Sequence, residues 1–404
     1  MIDIIEQNFR AEVEFLQALV RQPSDNPPGN CTPHALLAAE LLTELGFSVE
    51  RHIVPEALVR AHGMVAVTNL IVRERFGGSG GPVIALNAHG DVVPPGQGWT
   101  HDPYAGAASD GAIYGRGAAV SKSDFATYAF ALLCLKHDPT GLAGGVELHL
   151  THDEEAGGYL GPYWILEQGL SKPDYAISAG FSYAVVTAHN GSLHLEIVVT
   201  GRAAHAAMPE SGADALEAAT GVLAALYAER HHLSQRISGT AGIGSPKLTV
   251  GLISGGINTN VVPDRIVMRL DRRLIPEESG EEVERALTRL IEQAVPPGRG
   301  ITVECRRILL AEPLRPLAGT DRLVNPLVRH ASNELGVPVN VTGVPLYTDA
   351  RHYCARAIPT VLYGAGPRSI LEAGAHAADE HVRVGDLKAA TRVIAATLRD
   401  LLKA

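Results

Sequence analysis

The sequence predicts an α/β fold: a doubly wound, mainly parallel sheet, interrupted by a smaller inserted ferredoxin-like α+β domain. Three observations carry that expectation. Short continuous apolar runs such as Val83-Ile84-Ala85-Leu86, entered from Gly80-Gly81-Pro82, read as strands buried on both faces, the condition of a parallel sheet covered by helices. Segments of helical periodicity alternate with such runs up to about residue 188. Between 190 and 311 the rhythm changes to half-buried strands and amphipathic helices in the order β-α-β-β-α-β of a ferredoxin-like unit.

Taken in order, Phe9, Val13, Leu16, Leu19 and Val20 share one face of a first helix, and Leu36, Leu37, Leu41, Leu42 and Leu45 mark a second that stops at Gly46. After the strand at 83–86, further strands are expected at 146–150 and 175–177, with helices around 123–137 and 159–169. Leu193, Leu195, Ile197 and Val199 then alternate with mostly polar neighbours, which predicts a strand with one buried face. A helix carrying Leu216, Ala219, Leu223 and Leu226 follows, then strands near 247–252 and 266–270. A helix with Val283, Leu287, Leu290 and Ile291 and a strand with Ile301, Val303 and Cys305 complete the set. Beyond 312 the first rhythm resumes, with a strand at 360–363 and a closing helix near 386–402. The expected organisation is a discontinuous catalytic domain of residues 1–189 and 312–404, with an inserted domain of 190–311.

Composition narrows the function. The 34 Lys and Arg against 44 Asp and Glu leave a formal net charge of −10, scattered along the chain, which argues against a nucleic-acid partner. With 46% hydrophobic residues in 404, the chain has material for a large core and is not a disordered sequence. No apolar run reaches the roughly 18 residues of a membrane span. The opening Met1-Ile2-Asp3-Ile4-Ile5-Glu6 puts carboxylates where a secretory leader needs basic residues. Cys31, Cys134, Cys305 and Cys354 lie far apart with no CxxC spacing. A cytoplasmic protein with reduced thiols and a small-molecule substrate is the expectation.

His89-Gly90-Asp91 ends the buried strand, at the carboxyl end where open α/β sheets place their sites. Two residues apart in an extended chain, His89 and Asp91 point to one side. His89 suits a metal ligand and Asp91 the partner that takes its other ring N–H; a hydrogen-bonded loop histidine beside an aspartate turn is the plainer alternative. Thr151-His152-Asp153-Glu154-Glu155 follows an apolar strand in the same way. An exposed glutamate pair at a helix start explains it without chemistry; Glu155 as metal ligand and Glu154 as general base toward a bound water explain it with chemistry. His376 lies in Gly374-Ala375-His376-Ala377-Ala378-Asp379-Glu380-His381, which reads as a third ligand or a solvated turn. Two histidines and a glutamate make a common catalytic zinc set with an open position for water. Gly77-Gly78-Ser79-Gly80-Gly81 matches Gly-x-Ser-x-Gly but precedes a strand, whereas a nucleophile elbow follows one.

Together these segments resemble the M20 metallopeptidase family, which holds acetylornithine deacetylases, succinyl-diaminopimelate desuccinylases, aminoacylases and glutamate-releasing carboxypeptidases. The similar stretches run from Asn87-Ala88-His89-Gly90-Asp91 through Gly115-Arg116-Gly117, Asp153-Glu154-Glu155, the segment around His205 and Asn260-Val261-Val262-Pro263-Asp264 to Ala375-His376. The resemblance implies two metals joined by a carboxylate at the position of Val120 and completed by another at the position of Gly180, and this chain has neither. It leaves His89, Glu155 and His376 for one divalent metal, zinc first and manganese or cobalt next, in place of a full binuclear site. It further implies a homodimer in which His205 reaches a substrate carbonyl in the partner's site. Arg273 would grip a substrate carboxylate, with Asn260 and Arg351 in the same pocket; an ion pair with Asp271 is the alternative for Arg273. The function so implied is an amidohydrolase or deacylase that cleaves the C–N bond of a small N-acyl amino acid or related amide, with Glu154, Asp91 and His205 as its catalytic groups. A divergent enzyme doing other acid–base chemistry with one metal or none, and a non-catalytic metabolite-binding homologue, are the alternatives.

Overall fold

The computed structural model describes residues 2–78, 80–295, 298 and 300–404, so that Ser79 of the Gly-x-Ser-x-Gly stretch lies outside the described residues. The chain begins α1 (Ile2–Arg21), α2 (Thr32–Glu44), β1 (Val49–Ile53), α3 (Glu56–Ala61), β2 (Thr68–Phe76), β3 (Val83–His89), β4 (Ala107–Ser109), β5 (Ala112–Tyr114) and α4 (Lys122–His137). It continues with β6 (Gly144–Thr151), α5 (Pro162–Glu167), β7 (Tyr175–Ser178), β8 (Ala184–His189), β9 (Gly191–Thr200), α6 (Ala215–Ser234), β10 (Lys247–Gly255), β11 (Arg265–Leu274), α7 (Gly280–Gln293) and β12 (Thr302–Ala311). The last part holds α8 (Asp321–Leu335), β13 (Asn340–Val344), α9 (Ala350–Cys354), β14 (Thr360–Leu362), α10 (Ile370–Ala373), β15 (His381–Arg383) and α11 (Val384–Leu401). Two compact units result: residues up to Thr187 with Pro316–Thr342 and Thr348–Ala404, and Ala188–Arg315 with Gly343–Tyr347.

The first unit is built on an eight-stranded sheet of order β1-β2-β6-β3-β7-β14-β8-β13. Its centre, β6-β3-β7-β14, is parallel, while β1 and β2 on one side and β8 on the other pair antiparallel. The sheet is therefore mixed where the sequence predicted a mainly parallel one, because an apolar run shows that a strand is buried but not which way it points. Burial on both faces of β3 is direct: Ile84, Leu86 and Ala88 enter the main core with α1, α2, α4, α8 and α11, and Ala85 packs on the opposite side with Leu166 and Tyr353. The helix expected over 159–169 is only the short α5, since Gly157, Gly158 and Gly161 precede it and Gly169 follows in the left-handed region.

The second unit is a four-stranded antiparallel sheet of order β10-β11-β9-β12 with α6 and α7 packed on it, the ferredoxin-like arrangement. Its core joins Leu193, Leu195, Ile197 and Val199 of β9 to Val222, Leu226 and Ile291 of the helices. Asp214 caps α6 by accepting from the backbone N–H groups of Leu216 and Glu217.

One buried charge stands apart from any site. Glu12 in α1 is fully buried; Thr391 of α11 donates to one of its oxygens and the other has no partner. Burial pushes its pKa up to about 8 against the opposing Thr391 hydrogen bond. An acid with a raised folded-state pKa binds more protons folded than unfolded, so stability is greatest at low pH and falls as pH rises from the ordinary glutamate value, about 4.3, to about 8. Glu12→Gln is expected to gain stability over the wild type as pH rises from 5 to 8, at up to about 1.4 kcal/mol per pH unit. Urea denaturation at the two pH values checks this, and a gap that does not widen with pH contradicts it.

Candidate active site

The parallel register of β3 with β6 sets His89 opposite Thr151, so their carboxyl ends deliver His89-Gly90-Asp91 and Thr151-His152-Asp153-Glu154-Glu155 side by side. Gly90 donates to the Thr151 carbonyl at 2.8 Å. A Cβ on Gly90 would stand 2.6 Å from His34 Cε1 and 2.9 Å from His152 Nε2, so only glycine lets the two turns meet. Behind it His34 Nδ1 and His152 Nε2 are 3.0 Å apart, and burial holds both rings below the ordinary histidine pKa.

Asp91 organises the cluster. Fully buried, its carboxylate accepts from the Glu154 N–H at 3.1 Å, the Glu155 N–H at 3.1 Å and Asn26 Nδ2 at 3.0 Å. His89 Nδ1 lies 3.0 Å from the Asp91 carbonyl oxygen and 3.4 Å from Asp91 Oδ1, which fixes the Nδ1-protonated edge inward and leaves Nε2 for other partners. Burial alone would raise the Asp91 pKa, but His89 and Asn26 hold it below the usual range. Burial likewise opposes the His89 cation; the Asp91 hydrogen bond and the charges of Glu154, Asp91 and Glu155 outweigh it and hold that pKa well above the ordinary value.

Glu154 is half-buried, its carboxyl pKa pushed well above the ordinary range by burial and by Glu155, Asp349 and Asp91, with His89 opposing. Asp153 accepts from the Leu160 N–H with one oxygen, while the other is buried without a partner; burial and nearby Asp349 push its pKa up. Asp349, at the start of α9, is pushed up to about 7 by burial against the pull of His89 and Arg351. Sequence reasoning missed Asp349. The signal was present as an aspartate just ahead of a short Arg-His helix, but nothing local tied it to β6.

Glu155 and His376 come together, Oε1 to Nε2 at 3.3 Å, and this pairing raises the His376 pKa. His376 stands at φ 61°, in the left-handed region. His89 does not join them: among the described residues, no three His, Cys, Asp or Glu side chains stand close enough together to hold a metal ion. The Gly-Arg-Gly turn is fixed by Glu380, whose carboxylate accepts from Arg116 Nη1 at 2.7 Å and from the Ala119 and Val120 N–H groups at 3.1 and 3.2 Å. Val120 thus stands in a defined place and offers no ligand. Gly180 has no room for one: an added Cβ would meet Leu362 Cβ at 2.8 Å and backbone atoms of Leu362 and Tyr363 at 2.9 Å. Asp124 is engaged there instead, accepting from the Ala365 N–H at 2.7 Å, with burial pushing its pKa up to about 7.

Arg351, expected in a substrate pocket, is 4% exposed and donates to the Gly157 carbonyl. In the second unit, His205 and Asn260 sit on adjoining loops, with the Ala206 N–H on the Asn260 carbonyl at 3.0 Å and the Val262 N–H on the Ala204 carbonyl at 2.9 Å. His205 is exposed and its Nδ1 accepts from the Ala207 N–H at 3.0 Å. Arg273 pairs with Asp271, at 2.9 and 3.2 Å to Oδ2, the plainer of the two readings of that residue.

A cluster of carboxylates and histidines at parallel strand ends, on an α/β sheet with an inserted ferredoxin-like unit, is the arrangement of an α/β enzyme site. The chain belongs to the peptidase family M20/M25/M40, whose model matches residues 85–400, a family of hydrolases acting on C–N bonds. It is 30% identical over 396 residues to a succinyl-diaminopimelate desuccinylase of Gluconacetobacter diazotrophicus, covering 95% of both chains. Its fold is similar to the aminopeptidase PepT of Bacillus cereus (TM-score 0.74, 21% identity, 98% of this chain and 99% of that one). It is also similar to YXEP of Bacillus subtilis, described as a dinuclear metal-binding peptidase of the M20 family (TM-score 0.70, 18% identity, 98% and 99%).

Gly180→Ala is expected to lower the melting temperature by several degrees, about 1–3 kcal/mol, because the methyl group meets backbone. Val120→Asp, at a half-buried position, is expected to fold normally. Thermal melts of the two variants check the contrast, and a Gly180→Ala protein as stable as the wild type contradicts it.

Proposed function

We propose that this chain is an amidohydrolase of M20 type that removes an acyl group, succinyl or acetyl, from the nitrogen of a small amino acid, with Glu154 as general base. The observation that carries this reading is the placement of Glu154 by Asp91. The backbone N–H groups of Glu154 and Glu155 are both bound to one buried carboxylate, so the base is held on the rigid end of β6. Its raised pKa suits a group that takes a proton from attacking water and returns it to the leaving amine. The desuccinylase name of the relative supports the choice of acyl group.

We assign at most one divalent ion to this chain, zinc ahead of manganese or cobalt, with the paired Glu155 and His376 as its ligands and His89, which faces Asp91 in this structure, as a third that would have to turn toward them. When bound, such an ion would polarise the water and the acyl carbonyl. The groups of the chain do the remaining work. Asp91 holds His89 with Nδ1 inward and Nε2 outward, Glu155 holds His376, and Glu154 moves the proton. His205 is assigned to the substrate carbonyl as a hydrogen-bond donor, Arg273 and Asn260 to the substrate's free carboxylate. A homodimer is part of the same reading: β10 is the outer strand of its sheet and leaves Leu252 (62%), Ile253 (52%) and the nearby Ile257 (78%) exposed, an unblunted apolar edge suited to a second copy. No helix among the described residues is long and apolar enough to cross a membrane.

Purified protein supplied with zinc, manganese or cobalt is expected to release amine from N-succinyl-diaminopimelate or from an N-acetyl amino acid, and Glu154→Gln to lower kcat by about 10²–10⁴-fold. Unchanged turnover in Glu154→Gln refutes the base assignment. Elemental analysis is expected to find no more than one metal ion per chain, and two would refute the assignment of Val120 and Gly180.

A further inference from the structure

The loop that carries the glutamate pair is held from a second side. Glu154 to Ala156 form one tight turn, which ends in Gly157 and Gly158 at φ 104° and 69°. From α9, Arg351 Nη2 and His352 Nε2 both donate to the Gly157 carbonyl, the histidine at 3.0 Å. A carbonyl only accepts, so the His352 proton on this contact sits on Nε2. The same two side chains pack on Tyr159, two residues further along: the Arg351 guanidinium lies 5.4 Å over its ring, and the His352 ring meets that ring edge-on at 5.3 Å. A Cβ on Gly158 would stand 2.0 Å from Asp349 Oδ1 and 2.9 Å from His352 Nε2, so α9 approaches closely enough that only glycine fits. Arg351 and His352 are both at least nine-tenths buried.

We propose that Arg351 and His352 are positioning residues, a two-donor latch that fixes the Glu154–Glu155 turn from the side opposite Asp91, and that Arg351 is not a ligand of the substrate. The need is electrostatic. The Gly157 carbonyl ends a turn surrounded by the acidic side chains of Asp91, Asp153, Glu154, Glu155 and Asp349, so its donors must come from another element, and α9 supplies two. Asp91 ties down its first two N–H groups, and the latch ties down its last carbonyl with a charge-assisted bond. The inference rests on Glu154 being the base, but the latch itself has a readout that does not need activity.

Hydrogen exchange in the intact protein provides it. The Ala156, Gly157 and Gly158 N–H groups bond to the carbonyls of Asp153, Glu154 and Asp153 within the turn. Arg351→Met and His352→Phe are expected to speed their exchange tenfold or more, with peptides of β3 and α4 unchanged, while His352→Gln, which keeps a donor, restores slow exchange. Arg351→Lys serves in place of Arg351→Met if that chain does not fold. With N-succinyl-diaminopimelate or the N-acetyl amino acid that the wild type turns over, kcat is expected to fall tenfold or more at unchanged KM. Wild-type exchange rates in both Arg351→Met and His352→Phe overturn the latch. A raised KM at unchanged kcat in Arg351→Met or Arg351→Lys makes Arg351 a substrate ligand and overturns its half. Should Glu154→Gln prove as active as the wild type, the base reading fails, and the exchange rates still decide whether the latch exists.

Discussion

The pairing of β3 with β6 in parallel register is the constraint on which the acidic cluster depends. Two strand ends side by side release two turns at the same depth, and the buried Asp91 carboxylate then ties the second turn to the first through the Glu154 and Glu155 N–H groups. A buried carboxylate that accepts three hydrogen bonds and faces an imidazole keeps its charge at little cost, whereas one without them would be driven to protonate. The glutamates that follow differ from each other. Glu155 finds His376, while burial first and the neighbouring Glu155, Asp349 and Asp91 next leave Glu154 with a raised pKa.

The same logic orders the turns that flank the acidic cluster. Glu380 and Arg116 hold the turn bearing Val120 by a buried ion pair and two backbone contacts. On the opposite side, the backbone of Leu362 and Tyr363 occupies the space that a side chain at 180 would need, and Asp124 binds the chain just beyond. Positions 120 and 180 are thus each backed by packing of their own.

Much of this was legible in the sequence wherever a single segment carries the signal. The apolar run at 83–86, the alternation at 193–199 and the helical spacing from 216 to 226 each describe an element whose burial is decided by its own residues. His89, Asp91, Glu154 and Glu155 could be singled out because each follows such a strand directly. Strand direction at the sheet edges was not legible because an apolar run does not show which way a strand points, and Asp349 and the part played by Glu380 were not because each acts on chain about two hundred residues or more away. Arg351 shows the limit most plainly. A guanidinium in a site segment reads as a carboxylate clamp until the Gly157 carbonyl is seen in front of it.

What the sequence alone determined, then, is the fold class, the strands and helices that carry a clear local period, and the segments similar to the family's, since residue type, local period and segment likeness suffice for these. Only the tertiary structure decided that Glu155 pairs with His376 while His89 turns to Asp91, and that Gly180 is closed by backbone. Distances between side chains on separate strands follow from packing, and packing is set by the whole core at once.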